Sequence, residues 1–200
     1  MPWPVNHVTR NQRSKLKVSY GRLFIGGYMS IFDKTFERSM GHEGGYQCDP
    51  KDRGNWTGGE VGKGVNKGTK WGLSAATYPD LDIKNITYEQ AKEIYYRDWW
   101  IKCGMDKWPN ALAYQMFDAA INHGTVCANQ FLQRAVNVKP DGIIGPITTA
   151  TVLAADPNDV LLLFLAERLE YFTNVKTWDT YSKGWSRRVA QCLRYAAEDN

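Results

Sequence analysis

Apolar and polar positions follow a helical period along most of this chain and lose it in one stretch near the start. Phe32, Phe36 and Met40 recur at helical spacing as one apolar stripe, with Ser30 as the N-cap of a first helix. Three residues further on, the stripe lands on Glu43, and Gly44-Gly45 then supply the left-handed stop that ends a helix. Thr87-Tyr88-Glu89-Gln90 is a capping box opening a helix that reaches Trp99-Trp100. Residues 110–122 are apolar almost all round, which describes a buried helix, and Gln115, Asp118 and Asn122 form its one polar stripe. Gly124 ends that helix, and Thr125 starts another through Asn137. Gly145-Pro146 and Asp156-Pro157 each put proline in a helix's first turn, the second helix running to Tyr171. A last helix is predicted over 185–197. The pattern predicts a mainly α fold.

The exception is residues 41–72, which hold ten of the chain's 18 glycines and keep no helical period. Long irregular stretches in compact domains are functional or disordered, and Tyr46, Trp56 and Trp71 argue against disorder here. The stretch reads as a turn-rich excursion with a short hairpin near Lys70-Trp71-Gly72-Leu73, forming one wall of a cleft.

Composition sharpens this picture in three ways. Eight tryptophans and eleven tyrosines exceed what a core of this size needs, and aromatic rings suit the apolar faces of sugars. The net charge of +4 sits in residues 1–28, which carry Arg10, Arg13, Lys15, Lys17 and Arg22 and no acid. The remainder is close to neutral, so no nucleic-acid groove is expected. Cys48, Cys103, Cys127 and Cys192 are widely spaced, which reads as free thiols rather than a disulfide framework or a zinc site. No apolar run is long enough to span a membrane, and the segment after the basic leader lacks a cleavage site. The expectation is a protein made in a host cytoplasm without a signal peptide, acting without stable membrane insertion and as a monomer. Residues 1–28 are expected to be a basic extension.

Glu43 carries the candidate chemistry. A carboxyl on an apolar stripe, at the negative end of a helix dipole, is disfavoured in its ionised form. Such a group holds its proton near neutral pH, as a general acid must. The alternative is a helix-end glutamate that bends into solvent. For Gln115, Asp118 and Asn122 two readings stand together: hydrogen bonding inside the core, or facing a wet cleft.

The order Glu43-Gly44-Gly45-Tyr46, Asp49-Pro50-Lys51-Asp52, Gly68-Thr69-Lys70-Trp71-Gly72-Leu73-Ser74, the run from Tyr95 to Trp100 and Asn122-His123-Gly124 resembles glycoside hydrolase family 108. These are lysozyme-like N-acetylmuramidases of the phage endolysin type. Leu132-Gln133-Arg134-Ala135 followed by Asp141-Gly142-Ile143-Ile144-Gly145-Pro146 resembles the peptidoglycan-binding subdomain that follows in that family. The resemblance implies a lysozyme-like helical fold, with a catalytic domain over 29–122 and a peptidoglycan-binding-like subdomain over 125–195. It implies peptidoglycan as partner, no cofactor and no metal. It also implies hydrolysis of the β-1,4 bond between N-acetylmuramic acid and N-acetylglucosamine, with Glu43 as the catalytic glutamate.

For the second catalytic group Asp52 ranks first, Thr69 next as a holder of water, and Glu60 third. Tyr46, Trp71, Asp118, Asn122 and His123 are the candidate substrate contacts. Two other readings compete. A zinc amidase or endopeptidase would draw on His42 and His123, but no paired ligand spacing is present. A non-catalytic peptidoglycan-binding protein would leave the Gly-rich stretch without a task.

Overall fold

The computed structural model of the protein describes residues 30–40 and 45–200. The expectations for the leader 1–28 and for His42, Glu43 and Gly44 fall on residues outside those described. The described chain is mainly helical, and it divides into two compact units, Met1–Thr87 and Tyr88–Asn200.

In the first unit, α1 (Ile31–Met40) begins as the pattern predicts. The backbone N–H of Asp33 donates to Ser30 Oγ at 3.1 Å, and the Asp33 carboxylate accepts from the Ser30 N–H at 3.0 Å. Two donors of the first turn are thereby satisfied reciprocally. Phe32, Phe36 and Met40 are all buried, as the stripe requires.

The Gly-rich stretch is ordered by hydrogen bonds rather than by regular elements. Strands β1 (Thr69–Lys70) and β2 (Leu73–Ser74) pair antiparallel, with Thr69 opposite Ser74 and Lys70 opposite Leu73. The two turn residues, Trp71 at φ 52° and Gly72 at φ 73°, are both left-handed, as a two-residue type I′ hairpin demands. Gln47 adds an isolated antiparallel bridge to Thr69, so Thr69 is gripped from both sides. Gly68 makes that approach possible: a side chain there would meet the Gln47 carbonyl at 2.3 Å and the Tyr46 ring at 2.7 Å, and its φ is +78°. A second bridge, Trp56 with Asn66, closes the loop that carries Glu60.

In the second unit α2 (Tyr88–Tyr95) runs into π-helical turns over Tyr96–Ile101, so the helix reaches the Trp99-Trp100 pair as expected. The rod α3 (Asn110–His123) is buried at every position from 111 to 121. Around it pack α4 (Thr125–Ala135), α6 (Pro157–Thr173) and α7 (Trp178–Asp199), while α5 (Pro146–Ala154) lies against α6. Phe117, Phe131 and Phe164 are fully buried, each contributing roughly 1.5–3 kcal/mol. Gly124, at φ 84° and ψ 153°, is a one-residue corner joining α3 to α4.

The expected boundary between 29–122 and 125–195 falls at this corner. The chain parts into its compact units at Thr87 and Tyr88, and α3 is the shared centre of the helices that follow it. The last helix also starts earlier than predicted, at Trp178 rather than 185. Trp178, Tyr181, Trp185, Val189, Cys192 and Ala196 form one continuous helical stripe, and a side chain at Gly184 would meet nothing within 4 Å of its Cβ. Among the described residues no single helix is long and apolar enough to cross a membrane.

Candidate active site

The candidate site in the first unit is built around a buried asparagine. Asp52 caps the short 3-10 turn Arg53–Asn55, its Oδ1 accepting from the Gly54 N–H at 2.8 Å. Its other oxygen, Oδ2, lies 3.5 Å from the Gln47 side-chain amide. The capped turn leads to Asn55, which is wholly buried. Asn55 Nδ2 donates to the Asp49 carbonyl at 3.0 Å, and its Oδ1 accepts from the Thr69 hydroxyl at 2.7 Å. Its backbone carbonyl accepts from Lys67 at 2.9 Å and Gly68 at 3.1 Å. Asn55 thus fastens the β1 strand to the Asp52 turn through both its side chain and its backbone carbonyl. Lys67 and Lys70 fasten the hairpin on its far side, donating to the carbonyls of Pro79 at 2.7 Å and Lys84 at 3.0 Å.

Two aromatic side chains stand on this frame. Tyr46, 39% exposed, lies over Gly68, and its phenol is pushed above its ordinary value first by its hydrogen bond with Cys48 and then by burial. The Cys48 thiol in turn donates to Asn66 Oδ1 at 3.1 Å. Trp71 is half-buried in the left-handed position of the turn, a conformation that costs a bulky residue about 1–2 kcal/mol. Glu60 stands apart at the exposed tip of its loop, its carboxylate 3.5 Å from the Lys63 ammonium.

The polar stripe of α3 does something different. Asp118 is 1% exposed. Arg168 Nη2 meets its Oδ2 at 2.7 Å, and Arg188 grips it with two nitrogens, Nη2 at 2.7 Å and Nε at 3.3 Å. Burial pushes the Asp118 carboxyl up, but the two guanidinium groups outweigh it and hold the group well below the usual carboxylate range. Arg168, itself wholly buried, also donates from Nε to His123 Nε2 at 3.0 Å. Burial first, and the Arg168 charge second, push His123 down to about 3, so its imidazole is neutral. Phe131, Tyr171 and Phe172 surround that ring edge-on. Cys192 completes the cluster, its thiol 3.7 Å from Asp118 and pushed up to about 11 by burial. Gln115 donates to the Cys192 carbonyl at 2.8 Å, and Asn122 back-bonds to the Asp118 carbonyl at 2.7 Å.

The structure therefore brings Asp52, Thr69, Tyr46 and Trp71 onto one frame, and Asp118, Asn122 and His123 onto another. In the second frame Asp118 and His123 hold α3 to α6 and α7, the core-bonding alternative of the two that the stripe allowed. All four cysteines are free. Among the described residues no three His, Cys, Asp or Glu side chains converge as a metal-binding group.

Sequence reasoning passed over Asn55, Gln47, Arg168 and Arg188. For Arg168 a signal was present: it continues the buried stripe Val160, Leu161, Phe164 and Leu165 of α6, and a charge at a core position needs a buried partner. The segment 139–146 turns on Gln133, which the sequence offered only as one letter of a motif. Buried Gln133 donates to Asp141 Oδ1 at 2.8 Å and to the Ile143 carbonyl at 3.0 Å, and accepts from the Gly142 N–H at 2.7 Å.

None of the curated proteins matches this chain. It is similar to a solved structure from Brucella abortus, that of SagA, with a TM-score of 0.69 and 28% identity; the match covers 84% of this chain and 94% of that one. Residues 36–124, which include Glu43, Asp52, Asn55 and Thr69, match the family model of glycosyl hydrolase 108, and that match supports a glycosidase.

Proposed function

We propose that this protein is a peptidoglycan hydrolase that cleaves the β-1,4 bond between N-acetylmuramic acid and N-acetylglucosamine. The observation that carries the reading is the family match over 36–124, whose span contains a carboxylate and a hydroxyl, Asp52 and Thr69, mounted on one rigid frame. Glycosidases act with two carboxyl groups, one giving a proton to the leaving oxygen and one acting on the opposite side of the sugar. Glu43 is assigned the first part. As the glycosidic C–O bond breaks, its electron pair leaves with the oxygen that Glu43 protonates. A water oxygen bonds to the anomeric carbon, and Asp52 takes the proton that this water releases. Thr69 holds the water, while Tyr46 and Trp71 offer ring faces to the sugars. The phage endolysin role and the path from host cytoplasm to wall belong to this proposal and rest on the sequence resemblance.

The test is an assay on purified, outer-membrane-stripped cells or isolated peptidoglycan. New reducing ends are expected in the products, without new free amino groups. Glu43→Gln is expected to remove two to four decades of rate, about the contribution of one general acid. A folded Glu43→Gln protein keeping more than about a tenth of the wild-type rate contradicts the assignment.

A further inference from the structure

Every polar heavy atom of Asn55 is used. Its N–H donates to the Asp52 carbonyl at 3.1 Å, its carbonyl accepts from Lys67 and Gly68, its Nδ2 donates to the Asp49 carbonyl, and its Oδ1 accepts from Thr69. The last bond fixes more than a distance. A hydroxyl has one proton to donate and two lone pairs to accept with. With its proton spent on Asn55 at 2.7 Å, half-buried Thr69 can only accept from whatever approaches it. Asp52 offers carboxylate oxygens, which accept, and its Oδ1 is already taken by Gly54. Two acceptors on one frame call for a partner with two donors.

We propose that Asn55 is the positioning residue of this site: it turns the Thr69 hydroxyl into an acceptor and holds the Asp52 turn, so that the attacking water is gripped by both of its O–H bonds. One O–H points to Asp52 and becomes the proton transferred. The other points to Thr69 Oγ1, which leaves a lone pair of the water for the anomeric carbon. This inference rests on the glycosidase reading above and adds a residue to which neither composition nor motif drew attention.

The experiment measures kcat and KM on isolated peptidoglycan, with melting temperature as the check on folding, for Asn55→Ala, Asn55→Asp, Thr69→Val, Thr69→Ser and the double variant Asn55→Ala/Thr69→Val. Thr69→Val and Asn55→Ala are each expected to lose about tenfold or more in kcat at little-changed KM, and the double variant no more than either single. Thr69→Ser keeps most of the activity. Asn55→Asp separates positioning from mere support. As a carboxylate it still accepts from Thr69 but faces the Asp49 carbonyl without a proton. Protonated, it donates to Asp49 as the amide does. Its activity relative to wild type should therefore rise as the pH is lowered from 7 toward 5, at a folded fraction that stays constant. If Asn55→Ala does not fold, Asn55→Asp and Thr69→Val still decide the matter. A folded Asn55→Ala within about twofold of wild-type kcat, losses that add in the double variant, or an Asn55→Asp ratio flat with pH would each overturn the inference while leaving the glycosidase reading intact. A wild-type protein that releases no reducing ends overturns both.

Discussion

At the scale of single residues, Asp52 shows how one side chain can hold the frame and still be proposed for chemistry: one oxygen caps the 3-10 turn and the other lies near the Gln47 amide. Asparagine caps a helical turn as well as aspartate, so Asp52→Asn should leave the melting temperature nearly unchanged. It cannot take a proton from water, so turnover should fall roughly a hundredfold or more. A variant that is active but less stable would return Asp52 to a capping role. Trp71 makes a second case. Asparagine tolerates the left-handed turn position far better than tryptophan, yet removes the aromatic face. Trp71→Asn should raise KM for peptidoglycan with kcat largely kept, and an unchanged KM would show that the ring meets no sugar. Asp52, Thr69, Tyr46 and Trp71 were all legible in the sequence as chemical types in an ordered set. Asn55 was not, because its role depends on Thr69 fourteen residues away, and no local pattern encodes that pairing.

At the scale of elements, the helices were read well from their apolar stripes, except for the first two turns of α7, and the hairpin was found from its Trp-Gly turn. What the pattern left open was the polar stripe of α3, because a buried charge and a cleft-facing charge look alike until the partner is known. The partners lie 50 and 70 residues further on, at Arg168 of α6 and Arg188 of α7. Removing Arg168 takes one of two guanidinium groups from buried Asp118, which Arg188 still pairs, so Arg168→Met should cost about 1.5–3 kcal/mol, read as a lower urea midpoint at constant slope. A loss below about 1 kcal/mol would show that α6 does not depend on this cluster.

The same cluster sets an acid limit on stability. His123 takes up its proton at an ordinary value of 6.5 when unfolded but only at about 3 when folded. Below pH 6.5 the unfolded chain therefore binds the extra proton, and stability falls by up to about 1.4 kcal/mol per pH unit until the folded value is reached. Asp118, also lowered by folding, adds a loss in the same direction below the ordinary carboxylate range. His123→Gln keeps an acceptor for Arg168 without a titrating ring. Its melting temperature should decline less than that of the wild type between pH 6.5 and 4.5, and parallel declines would contradict this account of His123.

At the scale of the whole molecule, the mainly helical architecture was legible because helix caps, proline starts and the Gly124 corner are local signals. The central place of α3 was not, since it comes from packing by helices from the far end of the chain, which no local signal announces. The account as a whole stands on one chemical statement, that this chain hydrolyses the glycosidic bond on the muramic acid side. The most direct measurement is to digest isolated peptidoglycan with the full chain, reduce the products with borohydride and identify the reduced sugar after acid hydrolysis. The account predicts muramic acid recovered as its reduced alcohol, absent from a parallel Glu43→Gln digest. Reduced glucosamine instead, or new amino groups with no reduced sugar, would contradict it.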